Sequence, residues 1–240
     1  MSFRAVFLDF YGTLARATHW VSADDVLAEH GYTLNDGHRS IYYAGGIDGE
    51  EHHQHSQSRD HYNAWRRERT LAMLAAADVH PDEHELIVAK LAAGDAERVM
   101  EAYAEVPAVL AELRARGLRI VICSNWAWDL REAVAESGLT DAVDAMVSSA
   151  WVGARKPHPH IFAATLEIAD ARAEDILFVG DTWNADVEGP VAAGFQTLYL
   201  QREGHWDDRT APADLSTLPA GVTVATDLAG LLGRLGSSVG

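Results

Sequence analysis

An α/β fold, a doubly wound parallel sheet interrupted after its first strand by a helical insertion, is what this sequence predicts. Three observations lead there. Short apolar runs at 4–9, 118–123, 176–179 and 196–200 have the length of buried strands; helix-length stretches separate the later ones; and from 16 to 102 no segment alternates with period two. Strands that alternate with helices pair in parallel, and such sheets bind ligands at the carboxyl ends of their strands.

Taken in order, Arg4-Ala-Val-Phe-Leu-Asp9 is an apolar run ending in an acid with Gly12 close behind, so the first strand delivers Asp9 to the sheet edge. In the insertion, Ser22-Ala-Asp-Asp25 has capping-box spacing ahead of Val26 and Leu27, and Gly31 closes that helix. Residues 43–49, with three glycines, read as a mobile loop. A long helix is expected over 50–77 and another from Pro81, a first-turn position, to Ala93, with Gly94 breaking it. Beyond the insertion the spacing predicts a helix over 107–117, a strand at 118–123, a helix at 129–137, a short strand at 145–148 and a helix after Pro159. The clearest strand, 176–179, is followed by a helix ending near Gly194 and by strands at 196–200 and 222–225.

Charge narrows the partners. Nineteen Lys and Arg face 36 Asp and Glu, a formal charge of −17, which repels phosphate backbones and anionic lipid and argues against nucleic acid and membrane. The acidity is general: 16–102 holds 8 basic and 16 acidic residues, and the remainder 11 and 20. Cys123 is the only cysteine, which excludes an internal disulfide and a cysteine-based zinc site and fits a reducing compartment. An acid at position 9 interrupts any signal peptide, and no apolar run nears the roughly 20 residues of a membrane span, so a cytoplasmic location is expected.

Chemistry-bearing residues fall at the expected carboxyl ends of three strands: Asp9 with Thr13, Ser124 with Asn125, and Asp181 with Asp186. Lys156-Pro157 precedes a helix. Singly, each has an ordinary role, since a strand-end Asp forms turns and Ser-Asn caps helices. Together and in order, Asp9-Phe-Tyr-Gly-Thr-Leu14, Ser124-Asn125, Lys156-Pro-His-Pro-His-Ile-Phe162 and Gly180-Asp-Thr-Trp-Asn-Ala-Asp186, continuing to Gly194, resemble the four motifs of the haloacid dehalogenase superfamily.

The resemblance implies a Rossmann-like hydrolase core in 1–15 and 103–240 with a helical cap in 16–102, acting on a small phosphorylated metabolite. It implies Asp9 as nucleophile, forming an aspartyl phosphate. Thr13, Ser124 and Asn125 then bind substrate, and Lys156 offsets the charge of nucleophile and phosphate. Mg²⁺ is the implied cofactor, held by Asp9, the Tyr11 carbonyl, Asp181 and Asp186.

One position departs from the pattern. Phosphatases of the superfamily usually carry a second Asp two residues after the nucleophile as proton donor, and here that residue is Tyr11. Three readings stay open: a slow or selective phosphatase using Tyr11, water or His19 as donor; a metal-independent 2-haloacid dehalogenase in which Asp9 attacks carbon and Arg39 binds carboxylate or halide; and a catalytically weak binding or regulatory protein. Dehalogenases of the family tend to replace the Gly-Asp pair with serines, whereas Gly180-Asp181 and Asp186 are retained here. Three carboxylates placed together without a cation repel one another strongly, so the phosphatase reading is preferred.

Only about 30 residues separate Ser124 from Lys156, too few for a second lid, so the helical insertion is the expected cap, hinged near 15–17 and 101–106. Trp20, Trp126, Trp128, Trp151, Trp183 and Trp206 lie in or beside loops at the catalytic end, where they pack cap on core or wall an aromatic pocket. His52, His53, His55, His61 and Arg66 to Arg69 are expected on solvated helix faces.

Overall fold

The computed structural model describes residues 3–42, 49–204, 208 and 210–235. The predicted loop at 43–49 therefore lies, but for Gly49, outside the described residues, as does Trp206. A six-stranded parallel sheet forms the centre, in the order β5 (Ala145–Ser148), β4 (Arg119–Ser124), β1 (Ala5–Leu8), β6 (Ile176–Gly180), β7 (Gln196–Leu200), β8 (Val222–Ala225). The three middle strands read as unbroken apolar runs because both their faces are covered. On one face Val6, Leu8, Ile120, Ile122, Leu177 and Val179 pack against α5 (Val106–Ala115), α6 (Leu130–Glu136) and α10 (Gly230–Arg234). On the other, Phe7, Val121, Cys123 and Phe178 meet α8 (Pro159–Ala169) and Phe195. Each fully buried phenylalanine here contributes about 1.5–3 kcal/mol.

Between β1 and β4 the chain leaves the sheet through β2 (Ala15–His19) and returns through β3 (Val99–Ala102), which pair antiparallel. The expectation of an insertion without strands is corrected by this ribbon. Ala-Arg-Ala-Thr-His has little strand propensity and is largely exposed beyond Ala15, so pairing, not composition, makes it a strand. The expected hinges fall on or beside it. Four helices follow: α1 (Ala23–Glu29), α2 (Asp36–Tyr42), α3 (Arg59–Ala76) and α4 (His84–Ala96). Val26, Leu27, Met73, Leu74, Ile87 and Leu91 give them an apolar cluster of their own. The Ser22 capping box is formed as the spacing requires.

The expected helix over 50–77 is shorter. Residues 50–52 are not helical, Glu51 forming a lone antiparallel bridge to Ala154; a 3₁₀ turn spans His53–His55, and Ser58 caps α3 by accepting from the His61 N–H. A serine N-cap inside an otherwise helical pattern was the available signal. The expected helix before Gly194 is likewise divided, into a π-helical turn, Trp183–Glu188, and α9 (Gly189–Ala192).

Candidate active site

The carboxyl edge of the sheet gathers Asp9, Thr13, Ser124, Lys156, Asp181 and Asp186, all buried. Asp9 follows β1, and its N–H donates to the Val179 carbonyl at 2.9 Å, which fixes the root of its side chain between β1 and β6. The N–H groups of Leu14 and Ala15 both return to the Phe10 carbonyl (2.8 and 3.0 Å), closing a turn in which Gly12 takes φ 82°. A left-handed conformation of that kind favours glycine.

Lys156 sits at the centre, its Nζ 2.8 Å from Asp9 Oδ1 and 2.6 Å from Asp186 Oδ1. Asn125 clamps the lysine's backbone: its Oδ1 accepts from the Lys156 N–H (2.6 Å) and its Nδ2 donates to the Lys156 carbonyl (2.9 Å). The carboxamide expected to touch substrate is thus engaged in holding Lys156. Asp186 is tied into the start of the π turn, with its N–H donating to the Thr182 carbonyl (2.7 Å) and its Oδ2 accepting from the Thr182 N–H (3.0 Å). Gly180 makes room for it: a Cβ there would lie 2.3 Å from Asp186 Cγ. The Thr13 hydroxyl donates to Asp181 Oδ1 at 3.3 Å. One oxygen from each of Asp9, Asp181 and Asp186 lies within 4.8 Å of the others, a hard, all-oxygen set that suits a divalent cation.

Electrostatics agree with that fit. Burial raises the Asp9 and Asp186 carboxyls above the ordinary range; Lys156 pulls both down, and the neighbouring carboxylates push them up again. Burial also opposes the charge on Lys156, but Asp186 and Asp9 outweigh it and hold the ammonium above its usual pKa. When all three carboxyls are ionised they exceed the one ammonium by two negative charges, the amount one divalent cation neutralises.

Tyr11 stands where the family's second acid would be. Burial, and then the charge of Asp181, raise its phenol above the ordinary value, so it is a weaker proton donor here than in water. Its ring packs on Trp20 (5.8 Å) and Trp126 (6.3 Å). His19 is exposed at the end of β2. Arg39, the residue proposed to bind carboxylate or halide, pairs instead with Asp24 (2.7 Å) and Asp36 (3.1 Å) inside the insertion.

Other expectations change with burial. Trp183 packs edge-on against Tyr199 at 5.2 Å, and the Trp151 indole donates to the Trp128 carbonyl, so both are packing residues. His52 is 3% exposed and stacks on Trp65 at 4.8 Å, contrary to a solvated face; His61 is exposed as expected. Arg66 and Arg69 are half-buried and paired with Asp95 and Glu50. Sequence reasoning passed over Arg202. Its Nε and Nη2 donate to the Gly12 and Thr13 carbonyls (3.0 and 2.7 Å), its Nη1 pairs with Glu105 (2.7 Å), and it stacks 3.7 Å above Tyr103. An arginine just past a strand's carboxyl end was the only clue.

Against this geometry, the model of the haloacid dehalogenase-like hydrolases matches residues 3–194. The chain belongs to that family. As a haloacid dehalogenase-like hydrolase it is an enzyme, and its relatives divide between two chemistries. It is 34% identical over 114 residues to a phosphoserine phosphatase of Thermus thermophilus, covering 47% of this chain and 46% of that one. It is 32% identical to haloacetate dehalogenase H-2 of Moraxella sp., covering 52% and 59%. The matches span about half the length of these curated relatives. Among solved structures, the magnesium-bound YfnB hydrolase of Bacillus subtilis superposes with a TM-score of 0.64 at 18% identity, covering 98% of this chain and 99% of that one, a likeness of fold. Among the described residues of this hydrolase no helix is long and apolar enough to cross a membrane.

Proposed function

We propose that this hydrolase cleaves a small phosphomonoester through an aspartyl phosphate on Asp9 and depends on Mg²⁺. The observation that carries the reading is the approach of Asp181 and Asp186 to Asp9 around one lysine, a centre whose negative charge is not fully compensated without a cation. Asp9, Asp181, the Tyr11 carbonyl and Asp186, directly or through water, would hold the ion, which supplies Lewis-acid neutralisation of the phosphoryl oxygens when bound. An Asp9 oxygen attacks phosphorus, and the P–O bond to the leaving group breaks. Lys156 keeps Asp9 ionised and oriented, and the Ser124 hydroxyl beside it favours the same state. Water then attacks the phosphorus, the acyl-phosphate P–O bond breaks, and Asp9 leaves as carboxylate with inorganic phosphate released.

No carboxylic acid stands two residues after Asp9, so the leaving oxygen takes its proton from water. Rates should then depend steeply on the acidity of the leaving alcohol. The helical insertion, 16–102, acts as the cap over this centre, flexing at the β2–β3 ribbon, in a cytoplasmic enzyme. Tyr11 and the dehalogenase relative favour the second reading, attack of Asp9 on a halogen-bearing carbon, but an anionic haloacid would meet uncompensated negative charge, and Arg39 is engaged elsewhere.

The experiment is hydrolysis of an aryl phosphate with MgCl₂ or EDTA, beside halide release from 2-chloropropionate. Cation-dependent phosphate release that is lost in Asp9→Asn is expected. Halide release that survives EDTA, without phosphate release, would overturn the proposal.

A further inference from the structure

Lys156 is held from two sides. From the core, the Asn125 carboxamide binds its backbone N–H and carbonyl. From the insertion, residues 49–53 lie along 152–158 and form a seam between insertion and core. There the His52 N–H donates to the Gly153 carbonyl (2.6 Å), the Arg155 N–H donates to the Glu50 carbonyl (2.9 Å), Glu51 bridges Ala154, and His53 Nδ1 stands 3.2 Å from the Val152 carbonyl. Two glycines let the segments touch. A Cβ on Gly153 would collide with the His53 backbone, and one on Gly49 would lie 2.7 Å from the His158 nitrogen and 3.1 Å from Pro157 Cδ. Segments packed that closely do not shift independently.

This strap is anchored in turn on α3. The His52 and His55 rings stack on Trp65 at 4.8 and 5.0 Å, and Trp65 packs beside Ala150 of the core. Contacts therefore run without a gap from α3 through 49–53 to Arg155, across one peptide bond to Lys156, and through its ammonium to Asp9 at 2.8 Å. A long, flexible side chain delivers its charge to two carboxylates only from a fixed backbone position. Of the two holds the strap is the weaker: it relies on backbone bonds and ring contact, and both His52 ring nitrogens are buried without hydrogen bonds.

We propose that residues 49–53 are a positioning strap for Lys156, through which the insertion helps to set the ammonium against Asp9, with His52 as its main positioning residue. The inference goes beyond the phosphatase reading, because it concerns where Lys156 is held and not what Asp9 attacks; only its kinetic readout rests on that reading.

Lys90 and Lys156 are the only lysines of the chain, which gives a direct readout. Lys156 is 1% exposed, whereas the Lys90 side chain is 40% exposed on α4 and serves as internal reference. The Mg²⁺-loaded protein is acetylated briefly with an N-hydroxysuccinimide ester, and the ratio of Lys156 to Lys90 labelling is read by peptide mass spectrometry. His52→Ala should raise that ratio about tenfold or more, as the segment opens locally. It should also lower kcat for an aryl phosphate about tenfold with little change in KM. His52→Phe, which keeps the stack on Trp65 and loses only the unbonded nitrogens, should match the wild type in both. Val26→Ala loosens the insertion's own apolar cluster away from the strap and should leave the ratio unchanged, even where it lowers the melting temperature as much. His55→Ala, at a half-buried position, repeats the test if His52→Ala does not fold. An unchanged ratio in the strap variants, a raised ratio with wild-type kcat, or the same rise in Val26→Ala would overturn the strap. Failure of the phosphatase reading is seen separately, as absence of aryl phosphate hydrolysis in the wild type, and leaves the labelling to decide.

Discussion

The carboxyl edge of the sheet and the seam above it are both buried and both charged, yet they are built on different terms. At the edge each charged group has a partner: Lys156 bridges Asp9 and Asp186, Asn125 holds Lys156, and Arg202 holds the Gly12 turn. At the seam Arg155 has none, and the ring nitrogens of His52, Oε2 of Glu50 and Nε of Arg69 are also buried without hydrogen bonds. Buried polar groups in folded proteins are almost always satisfied. Atoms that must not move are over-determined, and the edge meets that condition where the seam does not. The edge is thus held by partnered charges, and the seam is not.

Substitution at the edge is the strongest way to break this comparison. Gly180→Ala forces a methyl to within 2.3 Å of Asp186 Cγ and must displace that carboxylate from Lys156. A loss of about a hundredfold or more in kcat is expected, since misplacement by ~1 Å can cost that much; wild-type kcat would show the edge to be less constrained than argued. Arg202→Met, which releases the Gly12 and Thr13 carbonyls without touching a reacting atom, should lower kcat about tenfold and KM little. A change confined to KM would place Arg202 in substrate binding.

The smallest effect is a pH dependence. Asp9 and Asp186 have raised pKa values in the cation-free protein, so the folded state binds more protons than the unfolded chain. Their contribution to stability is present below the ordinary carboxylate range and is lost as pH rises through the raised values. Thermal melts without Mg²⁺ should therefore fall as pH climbs from about 4, and saturating Mg²⁺ should remove that slope. Proton release on Mg²⁺ binding, read in two buffers of different ionisation enthalpy, gives the same answer. Melts that rise with pH in EDTA would place the acids in a different balance.

Much of the edge was legible because strand-end chemistry is local: Asp9, Asp181 and Lys156 stand next to apolar runs or a proline, and their residue types announce their use. What escaped was set by contacts distant in sequence. The β2–β3 ribbon joins segments 80 residues apart whose own composition is strand-poor. Asn125 looked like a substrate ligand because its engagement with Lys156 depends on how two loops meet. His52 and Arg66 read as solvated because helical spacing does not reveal which face the core covers. Tyr11 was visible as an exception, but the direction of its pKa shift followed only from its burial beside Asp181.

The central claim, that Asp9 attacks phosphorus and not carbon, is tested most directly by turnover in H₂¹⁸O followed by mass spectrometry of the Asp9 peptide and of the product. Attack of water on an aspartyl phosphate occurs at phosphorus, so with an aryl phosphate and Mg²⁺ the label should appear in inorganic phosphate and Asp9 should remain unlabelled. Label in the Asp9 carboxylate after exposure to 2-chloropropionate, with halide released and no labelled phosphate from any ester, would contradict the account.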